Sequence, residues 1–355
     1  MTDVALERSQ TEERKFYLEE GLKVALVVFM VLGITARIEQ AGVIAGFAAI
    51  FTGLAEKPGS LRERTFDLTV FAIVGFVPVV VASLIGSDPP ALLALLFVST
   101  AAFTWAAGYG DRLAHIGWVL TIWTTLALGF RVWESTPVSY IGYACGSLMV
   151  VFAAVVPVIL RGTDMASETD HSRLIPARDK PLSQLVPFAL LKATGVTLGG
   201  LIGQQYFQLN VFWVALTTIL MMPPAIKIHW DLSLHRAVGT VLGAIVGYGL
   251  VWFQGTNEFV LQAVEVAMAF FLITTIKRKP YGLFVLFLTV FVVAQLGLRG
   301  IDIAREGGIE RIQATFVGIG IAVATSAILV PVIRRPGTSA ESAGLSRRSF
   351  FRESD

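Results

Sequence analysis

The chain has 355 residues, of which 55% are hydrophobic and only 15% are charged, with a formal net charge of +2. A soluble protein typically carries about 25% charged residues, so this chain has too few to coat a surface in contact with water. Its charges lie between long apolar runs, a pattern typical of membrane proteins. The basic residues fall in short loops and form no continuous face, so the sequence gives no support for nucleic-acid binding.

Twelve apolar segments follow one another along the chain. Lipid offers the backbone no hydrogen-bond partners, so continuous runs of this kind predict membrane-spanning helices and not barrel strands. The first run lacks the cleavage site of a signal peptide and is expected to be retained. The second and eighth are shorter than the roughly 20 residues of a full span, so each is either completed by flanking residues or is a partial span packed inside the protein. The segments are residues 20–36, 40–55, 66–86, 90–108, 113–130, 138–160, 185–203, 208–223, 236–254, 258–276, 281–298 and 309–333.

Lysine and arginine predict the orientation of these segments, because basic residues accumulate in cytoplasmic loops. Of the 28 such residues, 21 fall in the N-terminus, the even-numbered loops or the C-terminus, and Lys23 and Lys192 lie within spans. The sequence therefore predicts an even number of spans, with both termini in the cytoplasm of a bacterium and the chain in its inner membrane. The other side holds five arginines, Arg37, Arg131, Arg299, Arg305 and Arg311.

The two halves of the chain resemble each other. Residues 72–76 read AIVGF and residues 244–248 read AIVGY, while VVPVI and LVPVI close the two halves. With six spans each, the halves run the same way through the membrane as parallel repeats. The sequence therefore predicts an all-α polytopic membrane protein of about twelve transmembrane helices in two parallel six-helix repeats. The predicted parts are a cytoplasmic N-terminal segment (1–19), a first repeat (20–160), a cytoplasmic linker (161–184), a second repeat (185–333) and a cytoplasmic C-terminal tail (334–355).

The stretch VFWVALTTILMMPPAIKIHWDLSLHRAVGTVLGAIVGYGL, residues 211–250, resembles the fusaric acid resistance (FUSC) family, also described as aromatic acid exporters. The resemblance covers most of the chain and is strongest over residues 185–335. In the first half Arg64 is kept, but Asp67 stands where the second half has glycine. The pattern is a tryptophan opening a span, a proline at its cytoplasmic end, an arginine after a short loop and then a glycine-rich helix, here Trp213, Pro223, Arg236, Gly239, Thr240, Gly243 and Gly247.

Arg236 has two interpretations at the start of the ninth span. It either snorkels to lipid phosphates or attracts an organic anion, whose carboxylate a guanidinium can hold with two hydrogen bonds. Arg64 has the same two interpretations, and Asp67 lies one helical turn further on, which favours an Arg64–Asp67 pair. Trp213 is expected in an interfacial aromatic belt or in packing. The three glycines share one helix face at intervals of four, so a neighbouring helix can approach closely.

Glu265 is the most isolated carboxylate within a span. The low-dielectric setting favours its neutral form, so it is a candidate for proton coupling, with a structural hydrogen bond as the alternative. Lys192 is either its structural partner or an anion-attracting group. His229, Asp231 and His235 cluster in one loop, but no third ligand at a convincing spacing supports a metal site, and no cofactor is expected. Cys145, the single cysteine, has no intrachain disulfide partner.

The resemblance implies a membrane transporter, and the proton-driven efflux of small organic acids, with aromatic acids as one candidate class, is the first hypothesis. A passive organic-anion channel is the second, because plant malate-type anion channels look distantly related. A membrane scaffold without transport is the third. An enzyme is not expected, since the sequence has no nucleophile–base arrangement, phosphate loop or HExxH motif. The expected partners are a small organic anion, the lipid bilayer, and either a second copy of the chain or unknown subunits.

Overall fold

The computed structural model describes residues 2–35, 39–160, 182–207, 211–222, 230–254, 257–276 and 281–333. Within these ranges all regular structure is helical, which confirms the all-α prediction, and each predicted apolar segment overlaps a helix. The helices are α1 (Thr2–Thr35), α2 (Glu39–Ala55), α3 (Leu61–Val74), α4 (Phe76–Ile85), α5 (Pro89–Trp105), α6 (Asp111–Gly129), α7 (Thr136–Leu160), α8 (Leu182–Tyr206), α9 (Trp213–Met221), α10 (Trp230–Gln254), α11 (Glu258–Thr275), α12 (Tyr281–Gly297) and α13 (Ile301–Ile333).

Seven helical stretches in the described part of the chain are long and apolar enough to cross a membrane. The two shorter apolar helices are Ala41–Ala55 and Tyr281–Gly297. The chain is therefore a multi-pass membrane protein, while the number of crossings stays a prediction. The seven stretches are Leu61–Ile85, Pro89–Tyr109, Val132–Val156, Leu185–Tyr206, Asp231–Gln254, Glu258–Thr275 and Ile301–Ile328.

The short helices lie at the centre of the molecule. Every residue of α9 is buried, and most residues of α6 and α12 are buried as well. Phe47 of α2 packs edge-to-face on Phe291 of α12, with ring centroids 4.9 Å apart. An apolar pocket lies between α2, α6, α9 and α12, with Phe51, Trp118, Leu216 and Phe284 among its lining residues. A helix covered on all sides by protein needs no lipid-spanning length, which explains why α2 and α9 are short.

The contacts between the two halves follow a regular scheme. The first helix of the second half, α8, packs on α5, the fourth apolar segment of the first half. In turn α1, the first helix of the first half, packs on α11, which holds the fourth segment of the second half. In the same way α6 packs on α9, and α2 touches α12 through Phe47.

One predicted boundary is wrong. The sequence predicts the last segment at 309–333 with a loop before it, but α13 already begins at Ile301. Arg305 and Arg311 therefore lie in a helix and not in a loop. The predicted linker, up to residue 181, lies outside the described residues, as do the C-terminal tail, Pro223 and His229, and α8 begins at Leu182.

Candidate functional site

The first half contains a network of ion pairs between buried carboxylates and half-buried cations, and it joins α1, the end of α2 and α3. Glu56 is the centre, because its two carboxylate oxygens accept from Lys23 Nζ at 2.7 Å and from Arg64 Nε at 2.6 Å. Glu20 on α1 accepts from Arg64 Nη2 at 2.8 Å and also pairs with Lys23. Burial by itself raises the pKa of Glu56, but Lys23, a hydrogen bond from Glu20 and Arg64 together hold that pKa below its ordinary value. These two cations are thus neutralised by carboxylates of their own half.

The predicted Arg64–Asp67 pair is wrong. Asp67 is fully buried and pairs instead with Arg112 Nη1 on α6, and it also accepts from the backbone N–H of Lys57 at 3.1 Å. The error arises because spacing along one helix indicates which residues share a face, but a nearer partner on another element takes precedence. The Arg64–Glu20 and Arg112–Asp67 contacts each join two separate helices.

Arg236 lies in a different setting from Arg64. Its side chain is fully buried, so the snorkelling interpretation is wrong. Its two terminal nitrogens reach only hydroxyls, Tyr281 Oη and Thr217 Oγ1, each at 3.4 Å, and Nε has no partner among the described residues. Among the described residues the guanidinium therefore has only weak, neutral hydrogen-bond partners.

Arg311 on α13 lies in the same region of the second half. Its side chain is fully buried, and none of its three guanidinium nitrogens has a hydrogen-bond partner among the described residues. Its Cζ lies 3.7 Å from the centre of the Trp213 ring, a close cation–π contact. Arg311 and Arg236 each lie one helical turn before a residue of the Thr315–Thr240 contact, so the two arginines lie at the same level of neighbouring helices. Trp213, the first residue of α9, is buried and therefore does not lie in an interfacial belt.

Sequence reasoning placed Arg311 in a loop and missed it. A signal was present: the residues that share its inner face of α13 are all small. Ala304, Gly308, Ala314 and Thr315 lie at helical spacing and are buried with it. Thr315 Oγ1 donates to Thr240 Oγ1 of α10 at 3.4 Å, one turn beyond both arginines, so α10 and α13 are neighbours at this level.

The glycine face of α10 packs on α12. A Cβ added to Gly239 would lie 2.5 Å from the Gly282 carbonyl oxygen, and one on Gly243 would lie 2.7 Å from the Leu286 carbonyl oxygen. A Cβ on Gly247 would lie 2.8 Å from Val293 Cβ. The three glycines therefore lie at a close helix–helix contact, which positions Arg236 on α10 beside Tyr281 on α12.

Glu265 and Lys192 are buried but are not brought together. Glu265 on α11 is fully buried, and neither of its carboxylate oxygens has a partner among the described residues. Lys192 on α8 is 3% exposed and lies one turn before Gly195, which packs on Thr325 of α13. Thr325 is 14 residues beyond Arg311, or about 21 Å along the helix, so Lys192 is not part of the Arg236–Arg311 region.

Among the described residues, no group of three or more His, Cys, Asp or Glu side chains could hold a metal ion. Cys145 is a free, half-buried thiol. The chemical character of the second half is therefore that of buried, uncompensated cations, together with one isolated buried carboxylate.

The all-helical fold with its apolar spans defines the class as multi-pass membrane proteins. Residues 195–325 match the model of a family described as fusaric acid resistance protein-like. This match confirms the resemblance predicted from the sequence, and it covers Trp213, Arg236 and Arg311.

Two curated relatives also match part of the chain. An uncharacterized protein ORF2 of Neisseria gonorrhoeae is 28% identical over 128 residues, or 36% of this chain and 30% of that protein. An uncharacterized protein of Haemophilus influenzae (strain ATCC 51907 / DSM 11121 / KW20 / Rd) is 27% identical over 118 residues, or 33% of this chain and 16% of that protein. The match thus spans less than a third of either relative. No solved structure matches the chain significantly.

Proposed function

We propose that this chain is a secondary transporter of a bacterial inner membrane that exports small organic acids, driven by protons. The observation that carries the proposal is the burial of Arg236 and Arg311 without a carboxylate partner among the described residues. Buried charges are normally paired, because removing an ion from water costs several kcal/mol. Two uncompensated cations inside a membrane protein favour an anionic substrate, and the fusaric acid resistance-like match supports transport.

A repeat architecture would supply the moving parts. We propose that residues 20–160 and 185–333 are parallel repeats, which would rock against each other around the centre of the molecule. The repeated AIVG and VPVI segments support this, as does the reciprocal packing of α5 on α8 and of α1 on α11. The central α2, α6, α9 and α12 would then form the interface on which the halves move.

Glu265 is the proposed proton-coupling group. It lies on α11, the helix of the second half that packs on α1 of the first, and it is fully buried with no partner among the described residues. Such a carboxylate is neutral when dry and ionises when water reaches it. A change of conformation that wets Glu265 would therefore release a proton, which links proton movement to the state of the transporter.

The test is flux into proteoliposomes of aromatic and aliphatic acids, with and without an imposed pH gradient. Uptake into protein-free liposomes is subtracted, because neutral acids cross lipid unaided. We expect gradient-driven flux of at least one acid. The Glu265→Gln variant should fold, lose the dependence on the gradient and keep substrate exchange at equal pH. Wild-type flux that ignores the gradient would indicate a passive channel, and no flux above the protein-free level would indicate a scaffold.

A further inference from the structure

The buried arginines Arg311 and Arg236 give the second half positive charge that no carboxylate among the described residues pairs with. Arg311 is in contact with the face of Trp213, but a cation–π contact is weaker than the desolvation penalty of a buried ion. Among the described residues, no N–H of this guanidinium has a hydrogen-bond partner. The nearby charge of Arg236 adds repulsion. The ring therefore does not offset the burial of Arg311, and no described residue pairs a negative charge with it.

The described residues do not supply that negative charge. The two segments flanking α9 that lie outside the described residues, 208–210 and 223–229, contain no aspartate or glutamate. Glu265 on α11, the buried carboxylate in the described part of this half, has no hydrogen-bond partner there and so does not bind either arginine. Arg236 and Arg311 therefore have no balancing carboxylate among the described residues, and a bound anion would supply one.

The first half shows how the same fold neutralises its cations when no ligand is needed. Arg64, the counterpart of Arg236, is held by Glu20 and Glu56, and Arg112 is held by Asp67. In the second half the hydroxyl of Thr217 lies beside Arg236, and Gly239 stands at the position of Asp67. The carboxylates are thus lost in one half only, while the arginine is retained in both.

We infer that the second half alone binds a small organic carboxylate, one per chain, between Arg236 and Arg311 and against the ring of Trp213. The inference rests on the proposed function, since it names where the transported anion binds. A guanidinium stacked on a ring keeps its in-plane N–H groups available for a carboxylate. Because Trp213 is the first residue of α9, the positive end of that helix dipole adds to the field of the two arginines. The first half binds no anion because its own carboxylates occupy its cations.

The first experiment measures how far benzoate, acetate and phosphate raise the melting temperature of the purified protein in detergent, and the affinity of each by calorimetry. We expect a carboxylate to bind once per chain. In Arg311→Met, which keeps length but removes charge, binding should weaken by at least about 30-fold. Without ligand this variant should melt at a higher temperature than the wild type, because an uncompensated buried charge has been removed.

The second experiment places a carboxylate beside Arg236 in the second half, as the first half has carboxylates beside Arg64. Thr217 Oγ1 lies 3.4 Å from Arg236, so the carboxylate of Thr217→Asp reaches the guanidinium. We expect this variant to weaken carboxylate binding by at least about tenfold while keeping or raising the melting temperature. Thr217→Asn has the same shape without the charge and is the matched control. It should bind within about threefold of the wild type.

Several results would overturn the inference. They are two carboxylates bound per chain, no carboxylate binding at all, tighter binding of phosphate than of any carboxylate, and unchanged binding in Arg311→Met. A loss of folded Arg311→Met protein also counts against it, because the charge would then stabilise the fold by itself. If Arg311→Met transports at the wild-type rate, the proposed site is wrong but the transporter proposal stands. Carboxylate binding without any wild-type flux leaves the site and removes the transporter.

Discussion

At the scale of single residues, Glu56 is the group whose charge most directly supports the first half. Its side chain is fully buried, and both oxygens bind cations. Because the cations hold its pKa below the ordinary value, its contribution to stability is complete above the pKa of an unfolded glutamate, about 4.3, and is lost as the pH falls through the folded value. We expect Glu56→Gln to lower the stability at neutral pH by on the order of 1–2 kcal/mol, since it leaves two half-buried cations, which solvent partly screens, with a neutral partner.

The measurement is the melting temperature in detergent from pH 7 down to below about pH 4. The wild type should lose stability over the acid part of this range, and Glu56→Gln should lose less, so that the two curves converge. Glu19→Gln is the control, because Glu19 is 67% exposed and pairs only loosely with Lys15. Parallel curves for wild type and Glu56→Gln would show that this ionic network does not respond to acid as described.

The sequence identified most charged residues of interest but not their partners. Arg64, Asp67, Arg236 and Glu265 were conspicuous because charge is rare within apolar segments. Which carboxylate pairs with which guanidinium depends on how separate helices pack, and a single sequence carries no signal for that packing. Arg311 was missed for a related reason: its neighbours Arg305 and Glu310 made the start of α13 read as a polar loop.

At the scale of elements, the contact of α10 with α12 depends on the absence of side chains at Gly239, Gly243 and Gly247. We expect Gly243→Ala to separate the two helices, because the new methyl group would lie 2.7 Å from both the Leu286 carbonyl oxygen and Thr289 Cβ. Overpacking of this kind costs typically about 1–3 kcal/mol, which predicts a clear fall in melting temperature.

Gly249 provides the matched control on the same helix, because nothing lies within 4 Å of an added Cβ there. Gly249→Ala should therefore be neutral or slightly stabilising, since alanine is the better helix former. If both substitutions lower the melting temperature equally, the close approach of α10 and α12 is not what the glycines provide.

Hydropathy predicts the positions of the helices along the chain but not how far each helix is buried by its neighbours. The helix α9 was recognised as short, and its nine residues are all buried, as in a partial span packed inside the protein. Tertiary packing decides this, because a helix covered by neighbours and a helix facing lipid are equally apolar. Likewise AIVG occurs twice, yet Gly75 lies between α3 and α4, whereas Gly247 lies within the continuous α10. Local context changes the backbone even where the letters agree.

At the scale of the whole molecule, the contacts between the two halves bear on the proposed repeat. Reciprocal contacts between the halves are what two similar bundles facing each other would make, and they link the apolar centre with the cation pair on its flank. The network of Glu20, Glu56 and Asp67 lies in the half that, on our inference, binds no anion. One half would thus be held by internal ion pairs, while the other keeps its charges for the substrate.

The orientation in the membrane is the last prediction, and the proposed direction of transport depends on it. The loop with Lys57 and Arg62 is expected on the cytoplasmic side with residues 161–181, because basic residues are retained there. The turn at Ser87 is expected in the periplasm; it carries no basic residue, and Ser87 is exposed. In a Cys145→Ser background, a cysteine at position 87 should react with a membrane-impermeant maleimide in intact cells, whereas a cysteine at position 170 should react only after the membrane is opened. The Cys145→Ser parent is the blank for both. Denatured samples are labelled in parallel to confirm that each cysteine is present, because a covered thiol would not react even after lysis. Reaction at position 170 in sealed cells would contradict the predicted topology.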